Sequence, residues 1–532
     1  MPINSSKKND GHAAHPMRSP ALAENLLAEL RGADPVTALN DLSGQLDKVK
    51  AATSHDETAR NYSLSLIQEA GDAHLSALLA QFLTKPADER AMREANWNTL
   101  SNYQKGLTVA LCASARLLLN EATTNPSHHL LGAAGAARGL DACRTLAKVC
   151  LVRYLSVPPR LWQLAYAVHG DAEKAGCASI PVRMHATHKT LTTVTQELLR
   201  LLMLQSSAPE MMTPEQIEVA DRVIARHGGD FTLRPRGVTD SPFCFAPASD
   251  HPPYRAAGQQ PGTNTEIRYF GAGAGFNNLE RLYKQLVATT AEIPAFGKDI
   301  APHVQFSAVQ HLLAFWGATS PYLPPAHSAE TGTLHVIHRF AGIWLHLSRP
   351  RSGAMALTLA EDGDGPPQAQ ETWTLLHAGG NELGAEVSQQ SHDWARCGEL
   401  VSVLMRGDDE CWLGVIRSMH AELGRSVCAN IAILSRDPQA VKLRVLVGKD
   451  EENLYTEETA RQFGFNHVRA IILPVESAAS QKTTFLLPPE SWKESRVYEV
   501  TGEEPARYLR GMHLLRRGDD YVRATFEWVS MA

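Results

Sequence analysis

What the sequence lacks narrows its class before any motif is considered. The eight cysteines are scattered and form no Cys-x-x-Cys pair, which removes both the zinc-ribbon ligand set and the thioredoxin-like redox motif. No apolar run reaches the roughly 18 residues of a membrane-spanning helix. The opening stretch from Met1 to His15 is polar and has no hydrophobic segment of a secretory signal. These absences predict a cytoplasmic chain without a transmembrane segment, its thiols free and mostly buried. Excess positive charge is also missing. A net charge of -6 argues against a nucleic acid polymer as partner. There is no Gly-x-Ser-x-Gly, no His-Glu-x-x-His and no Cys-His arrangement to activate a nucleophile. No catalytic residue is assigned, and the chain reads as non-enzymatic.

What is present is globular in composition, with 44% hydrophobic and 20% charged residues in 532, too long for one ordinary core. Residues 1–20 read as a disordered tail and 21–230 as a helical domain. Asp34-Pro35 places an N-cap before proline in the first turn, followed by Val36, Leu39, Leu42, Leu46 and Val49 at helical spacing. Further periodic runs are centred on Leu75, Leu107, Leu146, Leu164 and Leu198. Thr213-Pro214-Glu215-Gln216 is a capping box that opens another helix. The fold class expected here is an all-α bundle or helical stack. Residues 231–265, rich in proline and glycine, read as a linker, and 266–325 as a short helical connecting region.

From 326 to 532 the pattern becomes β. Candidate strands are centred on Val336, Thr374, Ser402, Leu413, Ile431, Leu443, Ala470, Tyr498 and Thr525. Short strands separated by turn residues predict a mainly antiparallel β-barrel.

Several local patterns invite chemistry. Gly271-Ala272-Gly273-Ala274-Gly275-Phe276 resembles a phosphate-cradling turn, but Asn277-Asn278 stand where a P-loop needs Lys-Ser/Thr. A flexible linker is the plainer reading. His128-His129, His185 with His188, and His335 with His338 have metal-like spacings. None has a companion cysteine pair or a carboxylate at zinc spacing, so no metal is assigned. Asp408-Asp409-Glu410 and Asp519-Asp520 read as solvated turn residues.

Trp412-Leu413-Gly414-Val415-Ile416-Arg417, a polar turn, Val427 to Leu434 and then Ser435-Arg436-Asp437-Pro438 resemble the central hairpin of a PilZ-type barrel. Cys397-Gly398-Glu399-Leu400-Val401 resembles the turn that leads into that hairpin. Trp97, Leu100 and Tyr103 resemble the helical region attached to PilZ-like domains in some large bacterial proteins. The resemblance implies a PilZ-like barrel and a signalling role through cyclic di-GMP, held by an arginine arm before the first strand and by a polar turn after it. No cofactor is implied. Here the two ligand pieces depart from that pattern. Ser320 to Gly332 contains no arginine, and the turn reads His377-Ala378-Gly379-Gly380-Asn381-Glu382.

The candidate ligand residues are therefore Arg339, Arg349 and Arg351, as substitutes for the arm, with His377, Gly379 and Asn381 at the turn. Glu382 is expected to oppose a phosphate there. Two functions follow from this reading. One is a signalling protein related to cyclic di-GMP receptors, its helical domain acting as output or partner-binding module and its dinucleotide binding weakened or lost. The other is a ligand-independent scaffold or adaptor that binds a protein partner.

Overall fold

The structure is a computed structural model. It describes residues 25, 28–30, 32–51, 57–83, 90–185, 190–238, 240–256, 266–288, 296–319, 321–322, 328–349, 371–405, 410–421, 426–446, 467–474, 482–501 and 505–530. The chain divides into two units, 1–323 and 324–532.

The first unit is built on helices α1 (Pro35–Ala51), α2 (Glu57–Leu83), α3 (Arg90–Thr124), α4 (His129–Leu151), α5 (Pro159–Lys174), α6 (Val194–Ser206) and α7 (Pro214–His227). Asp34 starts α1 by accepting the Thr37 N–H at 3.1 Å. Leu39, Leu42, Leu46 and Val49 then fall on one buried face. Thr193 and Thr213 close capping boxes with Gln196 and Gln216 at the starts of α6 and α7. The inner face of α4 is small, with Gly132, Ala133, Gly135, Ala136, Gly139 and Cys143 all buried. That lets α3 approach closely: a Cβ on Gly139 would lie 3.1 Å from the Cys112 sulfur. Bulky side chains on this face would push the two helices apart.

Residues 231–265, expected as a linker, contribute strands instead. β1 (Thr232–Arg234), β2 (Phe243–Phe245) and β3 (Tyr254–Arg255) join β4 (Arg268–Gly271) in an antiparallel sheet of order β1-β4-β2-β3. Strands of two to four residues are too short to show alternation in sequence. Their aromatic residues supply the signal that was missed, because Phe243, Phe245 and Phe270 are buried in the same core as the helices. α8 (Ala274–Ala288) and α9 (Pro302–Trp316) complete the unit.

The second unit contains two closed antiparallel barrels, in keeping with the expectation of at least one. The first has order β10-β7-β6-β5-β8-β9. Its strands are β5 (Ser328–His338), β6 (Glu371–Gly379), β7 (Glu382–Glu386), β8 (Leu400–Met405), β9 (Cys411–His420) and β10 (Cys428–Ser435). The expected neighbours β9 and β10 pair with Ile416 opposite Ile431 and Val415 opposite Ala432. The second barrel has order β11-β12-β13-β16-β15-β14. It comprises β11 (Gln439–Leu446), β12 (His467–Leu473), β13 (Lys482–Leu487), β14 (Val497–Val500), β15 (Arg507–Arg517) and β16 (Val522–Val529). Closure leaves no bare strand edge in either.

The barrels share an apolar seam. Leu400, Leu413 and Val415 from the first pack in one cluster with Ile471, Leu473, Leu486 and Tyr521 from the second. Helix α10 (Phe340–Leu347) adds Phe340, Ile343 and Trp344 to that cluster. The Trp344 indole N–H donates to the Val441 carbonyl at 3.0 Å, which ties the helix to the second barrel.

Candidate functional site

The turn singled out in the sequence is the tip of the β6–β7 hairpin. Gly379 faces Glu382 across a two-residue loop of Gly380 and Asn381. Gly380 sits at φ +56, a left-handed conformation that glycine takes without steric cost and that suits a tight hairpin. The Asn381 carbonyl accepts the Ile433 N–H at 2.8 Å, which fastens the loop to β10. A bulge after Leu375 shifts the register so that His377 stands opposite Gly384. A Cβ on Gly384 would collide with the His377 ring, so the missing side chain makes the bed for the imidazole.

Two arginines reach this hairpin, neither of them among the candidates. Arg417 on β9 pairs with Glu382, whose side chain is only 4% exposed. The carboxylate expected to stand open against a phosphate is thus covered and neutralised. Arg436 lies in the three-residue connection between β10 and β11, hence between the barrels. One guanidinium nitrogen donates to the Gly380 carbonyl at 2.9 Å. The same guanidinium lies over the Trp412 ring, 4.5 Å from its centroid, while the residue as a whole stays exposed.

The structure brings His377, Gly379 and Asn381 together with Arg436, and separates them from Arg339. β5 and β6 are antiparallel, with Ser328 beside Ala378 and Val336 beside Glu371. Arg339, just past the far end of β5, is therefore about 30 Å along the strand from the turn at roughly 3.3 Å per residue. It is exposed, at φ +66, and caps the start of α10. Arg349 is exposed beyond the other end of that helix. Arg351 lies outside the described residues.

Arg436 had one signal in the sequence: it is the first basic residue after the second hairpin strand, inside the quoted Ser-Arg-Asp-Pro run. Arg417 had the closing position of the tryptophan-glycine strand. Nothing local showed that barrel closure would carry both to the β6–β7 tip.

The remaining motifs are absorbed by packing. Gly271 ends β4 and Gly273, at φ +53, precedes α8; a Cβ on them would collide with the carbonyls of Asp240 and Asp230 respectively. A cavity of about 430 Å³ opens beside this loop, but its lining includes Asp240, Asn277 and Trp316 and, among the described residues, no basic one, which leaves a phosphate without a counter-charge. His128 meets Glu121 at 3.2 Å, His129 meets the Ala122 carbonyl at 3.1 Å and His185 meets Glu69 at 3.3 Å. His338 stacks on Trp394 with centroids 3.9 Å apart. His188 lies outside the described residues. Among the described residues no group of three or more His, Cys, Asp or Glu side chains is arranged to hold a metal ion. No described helix is long and apolar enough to cross a membrane.

No curated protein and no solved structure matches the chain. A family model does. Residues 21–236, the span that takes in α1 to α7, match the N-terminal domain of the cyclic-di-GMP receptor FimW.

Proposed function

We propose that this chain is a non-enzymatic, cytoplasmic signalling protein that responds to cyclic di-GMP, with the messenger received at the β6–β7 tip of a PilZ-like first barrel and the helical unit serving as the partner-binding output. The observation that carries the reading is the match of residues 21–236 to the N-terminal domain of a cyclic-di-GMP receptor. The barrel site is consistent with it chemically. Arg436 presents a planar guanidinium, already backed by Trp412, that suits either stacking on guanine or a two-pronged contact with phosphate. His377, Gly379 and Asn381 supply a short polar turn beside it.

Binding in this arrangement is weak. A charge-assisted contact contributes about 1.5–3 kcal/mol, against the roughly 8 kcal/mol that micromolar affinity requires. One arginine cannot supply that alone, although the Arg417–Glu382 pair removes most of the repulsion an open carboxylate would add. The same pair favours a second reading, a ligand-independent adaptor, because it fills with protein the place where a ligand arginine would act.

Calorimetric titration of the full chain with cyclic di-GMP at low ionic strength separates the two. Receptor function requires saturable heat that Arg436→Ala abolishes and that Arg339→Ala and Arg349→Ala leave unchanged. A wild-type chain with no heat at millimolar ligand supports the adaptor.

A further inference from the structure

At the free end of the β15–β16 hairpin two arginines face each other: Arg516 is paired in register with Arg523. Like charges directly opposite on an antiparallel ladder repel, and such guanidinium groups usually recruit a carboxylate. Among the described residues neither guanidinium has a hydrogen bond or an ion pair. Arg523 is half-buried, and its Nε is shut away from solvent with no acceptor. Burial lowers its pKa from the ordinary guanidinium value, and the charge of Arg516 lowers it further against an opposing pull from Tyr521.

The pair lies at the seam between the barrels. Tyr521, at the start of β16, donates its O–H to the Gly398 carbonyl of the first barrel at 3.1 Å. Gly398 sits at φ +91, and a Cβ placed there would lie 3.4 Å from an Arg516 guanidinium nitrogen. The carboxylates in this neighbourhood are Glu399, Asp519 and Asp520. Asp520 accepts the Phe340 N–H at 2.7 Å with one oxygen, and its other oxygen is buried without a partner. Glu399 is buried behind Gly398. Arg339 and Arg517 add two further exposed cations.

We infer that Arg516 and Arg523 form an anion site for a phosphate-bearing molecule, distinct from the β6–β7 tip. Two guanidinium groups on neighbouring strands grip one phosphate from both sides, each with paired N–H donors. The ligand cancels their mutual repulsion. The inference goes beyond the cyclic di-GMP reading and stands without it.

The test is titration of the full chain with inorganic pyrophosphate at low ionic strength. The expected result is one site per chain, with Kd raised tenfold or more in Arg516→Gln and in Arg523→Gln and unchanged in Arg436→Ala. Arg516→Lys, which keeps the charge but loses the fork, weakens binding at least threefold and guards against a folding defect. A parallel titration with 5′-GMP distinguishes a nucleotide ligand, which then binds more tightly than pyrophosphate, from recognition of the phosphate group alone. Melting without any anion supplies the counter-test. Both glutamine variants match or exceed the wild type if the arginines are unpaired. Lower melting points in both would show that the arginines are satisfied within the protein, Arg523 by Asp520, and would overturn the site. So would absent wild-type binding, affinities untouched by either variant, or loss of pyrophosphate binding in Arg436→Ala.

Discussion

Both units pair a buried carboxylate with a cation, Asp221 in the helical unit and Glu382 in the barrel unit, but they differ in the arginines left over. In the first, Asp221 on α7 meets Arg144 and Lys148 of α4, the lysine at 2.7 Å. Lys148 also reaches Glu218 at 3.0 Å, and Arg144 reaches Asp141 at 2.7 Å. Each of these charges has a partner of opposite sign, and the network ties α4 to α7. In the second unit Arg516 and Arg523 face each other with no carboxylate between them, and Arg436 spends its guanidinium on an indole and a carbonyl. A closed network is packing by other means. Guanidinium groups without a carboxylate keep N–H donors for another acceptor.

The sharpest way to break that comparison is to open the closed network. Asp221→Asn leaves Arg144 and Lys148 buried beside a neutral group, and destabilisation of the helical unit by about 3–5 kcal/mol is expected, read from denaturant midpoints. The same variant has a pH signature. Burial alone would raise the Asp221 carboxyl, but the charges of Arg144 and Lys148 overcome it and hold it well below the usual carboxylate range. A carboxyl depressed in the folded state contributes stability that is present above its unfolded value of about 3.9 and is lost as pH falls toward the folded value. The wild type therefore loses stability below about pH 4 from this group, and Asp221→Asn flattens that part of the profile.

On the barrel side the next effect is steric. Gly384→Ala forces the new Cβ into the His377 imidazole, with an expected cost of about 1–3 kcal/mol. The double variant with His377→Ala recovers most of it, because the bed is then empty. Full cost in the double variant would show that Gly384 serves the backbone rather than the histidine.

The smallest effect is the most informative about function. Glu382→Gln releases Arg417, whose side chain is already 38% exposed, so stability falls by only about 1 kcal/mol. With the Glu382 carboxylate neutralised, less negative charge opposes a phosphate at the hairpin tip, and cyclic di-GMP binding tightens several-fold by calorimetry. Unchanged affinity would place the messenger away from this turn.

How far the sequence showed these features follows from how local each one is. The helices were legible because Leu39, Leu42, Leu46 and Val49 repeat every three or four residues, and Thr213 with Gln216 marks a start within four positions. The β9–β10 hairpin was legible for the same reason. The second barrel was not, because its closure joins β11 to β14 and β13 to β16, segments far apart in the chain. β7 buries four consecutive residues, Glu382 to Ala385, and the last five residues of β15 are all exposed, so neither shows alternation. The site divided along the same line. His377, Gly379 and Asn381 are neighbours in sequence and remain so in space. Arg436 arrives only because β10 pairs with β7, and Arg339 lies at the other end of β5.

A messenger received on the first barrel and answered by the helical unit, as proposed above, would leave a distinct pattern of amide protection. Hydrogen exchange on the full chain, with and without saturating cyclic di-GMP, tests it most directly. The expected result is slowed exchange across residues 379–384 and 435–439, which hold the hairpin tip and the Arg436 connection, with any change in the helical unit smaller and lost in Arg436→Ala. Protection confined to the helices, or protection of the barrel that survives Arg436→Ala, would contradict it.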